Sequence, residues 1–239
     1  MPSFATRTHA EEMMDDFSIT DERLTDALEQ LRWVNRLLGG YATMMTVLRP
    51  FFQANTGRPI RLLDIGTGIA DYPEYLIRWA DRHQLDLHIT AIDANPATIK
   101  YANHTLEKRL TEDLRDKVTL EVADAFSLPY DDDAFEVVMA AMFLHHFPHE
   151  EATILVKEMD RVAGNGLIIN DLHRYPLAYY GILLPATILP VSPMFRNDGP
   201  LSVLRGFRRS DLEAIARDAD LPTPRIRWHW AFRWSLSTL

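Results

Sequence analysis

"RLLDIGTGIADYPEYL", residues 61–76, opens with apolar residues, turns on two glycines and runs into an amphipathic stretch, the pattern of a strand, a tight loop and a helix. Glycines let the backbone turn sharply and let a ligand approach main-chain atoms that a Cβ would shield. A lone GxG also occurs in turns that hold nothing, so two acids further along the chain decide the matter. "HITAIDANP" places Asp93 at the end of the next apolar run, 25 residues after Gly68, where a carboxylate can accept both hydroxyls of a ribose. "LEVADAFSLPY" places Asp124 at the end of a third run, where its oxygen can accept an adenine amino proton. Each acid alone is as readily a cap or turn residue as a ligand. Independent turn acids, however, have no need to line up after successive strands of one sheet.

Outward from this stretch, short apolar runs alternate with amphipathic ones. Strands are predicted at 61–65, 87–92, 118–122, 135–140 and 166–170, and helices at 73–83, 96–110 and 150–162. The alternation implies right-handed crossovers and a largely parallel sheet covered on both faces. Such a sheet binds ligands outside the carboxyl ends of its strands, where strand order reverses. Upstream, Leu24, Leu28, Leu31 and Leu38 share one helical face, with Ser18 and Asp21 spaced as a capping box and Gly39-Gly40 as a stop; a second helix is predicted over 41–52. Downstream, Ser210 and Glu213 read as the start of a helix over 210–219, and "RIRWHWAFRWSLSTL" suits one or two final strands. The domain reading is a helical segment or lid over 1–56 and an α/β unit over 57–239, with a cap inserted at about 175–207.

Composition narrows the function. A formal charge of −9 repels a long phosphate backbone, which argues against nucleic acid as a partner. Cysteine is absent, which removes disulfides, thiolate metal sites and cysteine nucleophiles together and fits a cytoplasmic chain. Residues 1–17 lack the apolar core of a secretory signal. Residues 176–195 carry no charge, but Pro185, Pro190 and Pro193 interrupt them; they read as a buried or interfacial cap, compatible with peripheral membrane contact and not with a span. The histidines and acids match no zinc signature such as HExxH, so no metal is expected.

"LLDIGTGIA", "AIDANP", "VADAFSLPYDDDAFEVVMAAMFLHHF" and "GNGLIINDLHR" together resemble the motifs of class I S-adenosylmethionine-dependent methyltransferases over residues 61–171. The run from Asp124 to His146 is similar to small-molecule enzymes of the quinone-biosynthesis type, and "NDLHRYPLAYYG" and "NDGPLSVLRGF" to a bacterial group associated with polyketide or quinone tailoring. The resemblance implies a doubly wound α/β fold with a largely parallel seven-stranded sheet, an N-terminal helical layer and a cap after the fifth strand. It implies S-adenosyl-L-methionine as methyl donor and S-adenosyl-L-homocysteine as product. Carried over by position, Asp64, Gly66, Thr67 and Gly68 shape the methionyl pocket, Asp93 holds ribose, Ala94, Asp124 and Ala125 hold adenine, and Ala140, Ala141 and Met142 lie under the methionyl chain. Where many relatives have a third glycine this chain has Ala70. Three residues after Gly68 stands Asp71, where a dinucleotide fold prefers glycine. A carboxylate there suits an ammonium or sulfonium better than a pyrophosphate.

The implied acceptor is a small aromatic, quinol-like or polyketide-like molecule methylated on oxygen or carbon. His145 and His146 follow the fourth strand on the side where the methyl should emerge, and a neutral imidazole, with an ordinary pKa of about 6.5, suits deprotonation of a phenol or enol. His173 is the further candidate base, with Asp171 beside it to orient an imidazole or simply to pair with Arg174. The cap is expected to line the acceptor pocket through its tyrosines, leucines, Met194 and Phe195, with Arg196, Arg205, Arg208 or Arg209 for an acidic group. Trp33, Asn35 and Arg36 are candidates to close over the donor. The competing readings are an NAD(P)-dependent oxidoreductase on a similar fold and a non-catalytic accessory protein that binds the donor. Oligomeric state is not specified by the sequence.

Overall fold

β1 (Ile60–Ile65) runs through the middle of the sheet with every residue but Arg61 buried, as a strand covered on both faces requires. In the computed structural model, which describes residues 2–239, seven strands form one sheet among the described residues. β2 (Leu87–Asp93) and β3 (Val118–Val122) extend it on one side, β4 (Val137–Ala141) and β5 (Leu167–Leu172) on the other, all parallel. β6 (Arg225–His229) and β7 (Arg233–Ser237) close the far edge, with β7 antiparallel to both β5 and β6, so the order is β3-β2-β1-β4-β5-β7-β6. Strand order reverses between β1 and β4, and a crevice opens there at the carboxyl ends.

Helices cover both faces. On one side α2 (Gly40–Ala54), α3 (Asp71–Arg82) and α4 (Pro96–Arg109) bury Phe52, Trp79 and Leu106 against β1 and β2, with the short α5 (Glu112–Arg115) at their edge. On the other, α6 (His149–Arg161) and α9 (Arg209–Asp218) bury Met159 and Ile215 against β4 and β5. α1 (Glu22–Leu37), α7 (Pro176–Ile188) and α8 (Pro193–Arg205) sit beyond the strand ends, where Leu24, Leu28, Ala186 and Phe195 form a smaller cluster with Ile69. No helix among the described residues is long and apolar enough to cross a membrane.

Most predicted elements lie within two residues of their expected ends; the exceptions concern caps and prolines. Asp21, not Ser18, caps α1, its carboxylate accepting from the Arg23 amide at 3.0 Å. Ser210 lies inside the first turn of α9, whose cap is Arg208; the Arg208 amide donates to Asp211 at 2.7 Å. Gly39 ends α1 and launches α2 at once, at φ +74, and a Cβ there would lie 2.7 Å from the Trp230 carbonyl oxygen. Of the prolines expected to interrupt residues 176–195, Pro185 sits inside α7 and Pro193 opens α8 at its first turn, so the break falls between the two helices.

Candidate active site

The loop after β1 is built by its own hydrogen bonds. Thr67 donates through its hydroxyl to Asp64 at 2.7 Å and through its amide to the Ile92 carbonyl at 2.9 Å, which ties the loop to the end of β2. Gly66 takes φ +69, and a Cβ there would overlap the Phe143 ring; Ala70 takes φ +57 as a glycine would and is fully buried. Asp93 accepts from the Gly68 amide at 3.1 Å and the Asn95 amide at 2.9 Å, so its carboxylate is fixed between the first loop and the start of α4. Asp124 accepts from the Phe126 amide at 2.9 Å in the turn after β3.

These groups face a cavity of about 1190 Å³ at the switch point. Asp64, Gly66, Thr67, Gly68 and Asp71 line it from β1 and its loop, Asp93 and Ala94 from β2, and Asp124 and Ala125 from β3. Ala141 and Met142 line it from the end of β4. Ala140 does not: it is fully buried, paired with Ile65 and Ile169 inside the sheet, one residue too early on the strand to reach the ends. Asp71 is held by α1 and α2, accepting from Asn35 Nδ2 at 3.2 Å and from the Tyr41 hydroxyl at 2.8 Å. Burial pushes the Asp64 carboxyl up to about 8, and burial likewise raises Asp71 and Asp93. This half of the cavity therefore presents four acids, Asp64, Asp71, Asp93 and Asp124, whose hydrogen bonds come from neutral groups and not from a cation. The two arginines on the cavity walls, Arg7 and Arg205, belong to the opposite side.

His145 is 2% exposed and lies on that opposite side, in a 3-10 turn, residues 144–146, just after β4. Its Nδ1 is 2.8 Å from Asp171 Oδ1, and its amide donates to Asp171 Oδ2 at 3.1 Å. Burial works to raise the Asp171 carboxyl, yet the His145 ring and the amides of Leu172 and His145 hold it below its ordinary value. A carboxylate at Nδ1 fixes the proton there and leaves the Nε2 lone pair to accept. His146 makes the analogous contact with Asp15, Nδ1 to Oδ1 at 2.6 Å. His173 lies off the cavity beyond β5: it accepts from Trp228 Nε1 at 3.3 Å and stacks on Tyr175. The Asp171 carboxylate is taken up by the His145 ring and amide and by the Leu172 amide, so the imidazole it orients is His145 and not His173. Arg174, which sequence spacing pairs with Asp171, is buried and instead meets Asp211 at 3.0 Å.

The wall that sequence reasoning missed is residues 7–17. This arm returns over the cavity and is anchored by Asp198, which accepts from the Met13 and Met14 amides at 2.8 and 3.0 Å. Arg205 bridges the arm to the histidine turn: it donates to Asp15 at 2.6 Å and to the carbonyls of His145 and His146. Arg7 donates to the carbonyls of His145 and Phe147 at 2.9 Å each. Glu12 accepts from the Ser202 hydroxyl at 2.9 Å through one oxygen, while its Oε1 has no hydrogen bond and lies 3.7 Å from His145 Nε2. Burial pushes the Glu12 carboxyl up to about 7. Glu12, His145 and His146 bring ligand atoms within 4.8 Å of one another, a spacing a metal ion can use, but the Arg205 guanidinium already stands 3.6 Å from Glu12 Oε1. The signal available in the sequence was the density of charge in "HAEEMMDDF", which carries no pattern of its own.

The cap also differs from expectation. Of residues 175–207, Arg205 alone among the described residues lines the cavity. Met194 and Phe195 pack into the cluster behind Leu24 and Leu28, and α1 contributes Leu28, Leu31 and Asn35 to the cavity wall in their place. Arg196 donates to the Ala186 carbonyl, Arg209 pairs with Glu213, and neither they nor Arg208 face the cavity. Trp33 is 53% exposed, with Arg36 over its ring, on the outer face of α1.

Residues 62–166 match the methyltransferase domain family. Among curated proteins, 27-O-demethylrifamycin SV methyltransferase of Amycolatopsis mediterranei (strain S699) is 40% identical over 88 residues, 37% of this chain and 29% of that protein. Ajmaline N-methyltransferase of Rauvolfia serpentina is 28% identical over 120 residues, 49% of this chain and 38% of that protein. The match thus spans less than half the length of either relative. Among solved structures, a SAM-dependent methyltransferase from Aquifex aeolicus superposes with a TM-score of 0.62 at 19% identity, covering 88% of this chain and 95% of that one. Magnesium protoporphyrin IX methyltransferase from Synechocystis PCC 6803, with bound SAH, gives 0.58 at 15% identity, covering 83% and 82%. The chain thus shares its fold with these solved structures, and its residues 62–166 are similar to the methyltransferase domain family.

Proposed function

We propose that the chain transfers a methyl group from S-adenosyl-L-methionine to an oxygen or carbon of a small aromatic, quinol-like or polyketide-like acceptor, with His145 as general base. The observation that carries this is a buried His145–Asp171 pair on the wall of the same cavity whose other wall holds Asp93 at the end of β2. The donor half suits the cofactor by charge, since Asp64, Asp71 and Asp93 are raised by burial and hydrogen-bonded only by neutral groups, and an ammonium and a sulfonium would favour their ionised form where a pyrophosphate would oppose it. In this reading Asp93 holds the ribose hydroxyls, Asp124 and Ala125 border adenine, and Asp64 and Asp71 lie toward the methionyl end.

When bound, the donor supplies an electrophilic methyl on sulfur and leaves as S-adenosyl-L-homocysteine. The chain's own work is alignment, exclusion of water and removal of one proton. His145 Nε2 takes the acceptor's proton as the new bond to the methyl carbon forms, and Asp171 stabilises the imidazolium that results. Of residues 1–56, the arm and α1 act as the lid, with the arm closing the acceptor side, while α2 packs on the sheet as part of the domain at 57–239.

The test is turnover with a panel of phenolic and enolic acceptors, read by product mass. His145→Ala is expected to lower the rate by about 10²–10⁴-fold with donor affinity unchanged, and Asp171→Asn to lower it in the same direction. A His145→Ala rate close to wild type removes His145 from the mechanism.

A further inference from the structure

α7 carries a face that nothing among the described residues covers. Leu177, Tyr180, Leu184 and Ile188 fall within a narrow arc of the helix at steps of three and four, and they are 63, 39, 57 and 80% exposed. The opposite side of the helix is buried through Ala178 and Ala186, so α7 is fixed on α8 with its larger apolar residues outward. Buried alanines are ordinary, but four large apolar side chains exposed together on one helix face form a contiguous patch and not the scattered exposure of a usual surface.

The apolar surface continues past the start of the helix. Tyr175, at the cap position of α7, stacks on Phe232 at 5.7 Å, and Trp228 and Trp230 approach the same ring at 6.2 and 6.3 Å. Trp228 is 47% and Trp230 71% exposed. Leu37, 72% exposed, adjoins them where the Ala231 amide meets the Leu38 carbonyl at 3.4 Å. An apolar helix face continued by exposed indole and phenol rings is the arrangement found at membrane interfaces.

Charge identifies the occupant. The chain as a whole is −9, yet residues 30–63, 172–197 and 221–239, which supply this face, contain no Asp or Glu. Exposed arginines border it: Arg36 beside Leu37, Arg196 bonded to the Ala186 carbonyl of α7, and Arg208, whose charge acts on His173. A second copy of the chain docked here would set arginines against arginines. A lipid surface of negative charge meets both the apolar stripe and its basic rim.

We infer that the exposed face of α7, with Tyr175, Trp228 and Trp230, docks the protein on the surface of an anionic lipid bilayer, without spanning it. This is independent of the assignment of His145 and of the donor site, and its test measures binding and not turnover.

The full chain is sedimented with vesicles of phosphatidylcholine and with vesicles containing phosphatidylglycerol, alongside Leu184→Asp/Ile188→Asp and Arg196→Gln/Arg208→Gln. Both positions in the first pair are solvent-exposed, so the variant is expected to fold, checked by an unchanged thermal midpoint. Wild type is expected to sediment with the anionic vesicles. The aspartate pair should lose at least about tenfold in partitioning, and the arginine pair about fivefold per charge removed on anionic vesicles only. Brominated acyl chains should quench tryptophan fluorescence in wild type and lose that effect in Trp228→Phe/Trp230→Phe. No sedimentation of wild type, or equal sedimentation of the aspartate pair, overturns the inference. So does a wild-type dimer that the aspartate pair converts to monomer without any vesicle binding, which would assign the face to self-association.

Discussion

His145 and Glu12 meet across the cavity wall although they arise from opposite ends of the folding problem. The histidine pair was legible because it follows a strand whose end the sequence marks, and Asp171 because it ends the next strand. That Asp171 serves His145 and not its neighbour His173 was not legible, because residues two apart on a strand share a face and pair Asp171 with His173 in sequence, whereas the carboxylate is taken up by the turn after β4. His173→Ala should therefore leave turnover within a few-fold of wild type. Glu12 was invisible, since its surroundings depend on a tertiary return held by Asp198 and Ser202. Its carboxyl is raised by burial from an ordinary 4.5 to about 7, so between those values the folded chain keeps a proton that the unfolded chain releases. Stability then falls as pH rises through that window. The thermal midpoint of Glu12→Gln followed against pH should show a shallower decline than wild type over this range, whereas identical profiles would mean that Glu12 is not buried by the arm in solution.

At the scale of elements, the strand ends and the loop after β1 were readable because alternation and glycine placement are local signals, whereas the roles of the arm and cap depend on which surfaces remain after the sheet is covered. The cap at about 175–207 was expected to line the acceptor pocket through its tyrosines, leucines, Met194 and Phe195; instead Met194 and Phe195 bury themselves behind α1, a gain of roughly 1.5–3 kcal/mol for each such side chain. The arm then closes the space that the cap leaves open. Asp198→Ala should free it, seen as faster amide hydrogen exchange over residues 11–16 and a higher acceptor KM with donor affinity unchanged; unaltered exchange would contradict the anchoring role. Gly66→Ala has a different signature, because its Cβ would overlap the Phe143 ring and the backbone is left-handed there. It should cost about 1–3 kcal/mol of stability and weaken donor binding together, read by thermal shift with and without S-adenosylhomocysteine.

Across the whole molecule, charge is sorted in two ways. Inside the cavity, the acids at the ends of β1, β2 and β3 have no arginine among them, whereas Glu12 and Asp15 on the other wall stand with Arg205 and the histidines. Outside, the acid-free segments collect around α7 and the β6–β7 edge. On the proposed reading, the acids of the first wall, with no arginine beside them, suit a cationic donor, which is the physical reason for choosing a sulfonium cofactor over a dinucleotide. The most direct measurement is isothermal titration of the chain with S-adenosylhomocysteine, NAD and NADP, repeated on Asp93→Ala. One site for S-adenosylhomocysteine is predicted, weakened at least about tenfold in Asp93→Ala through loss of the charge-assisted ribose bonds, with no heat from either dinucleotide. Binding of NAD or NADP in place of S-adenosylhomocysteine, or donor affinity unchanged in Asp93→Ala, would contradict it.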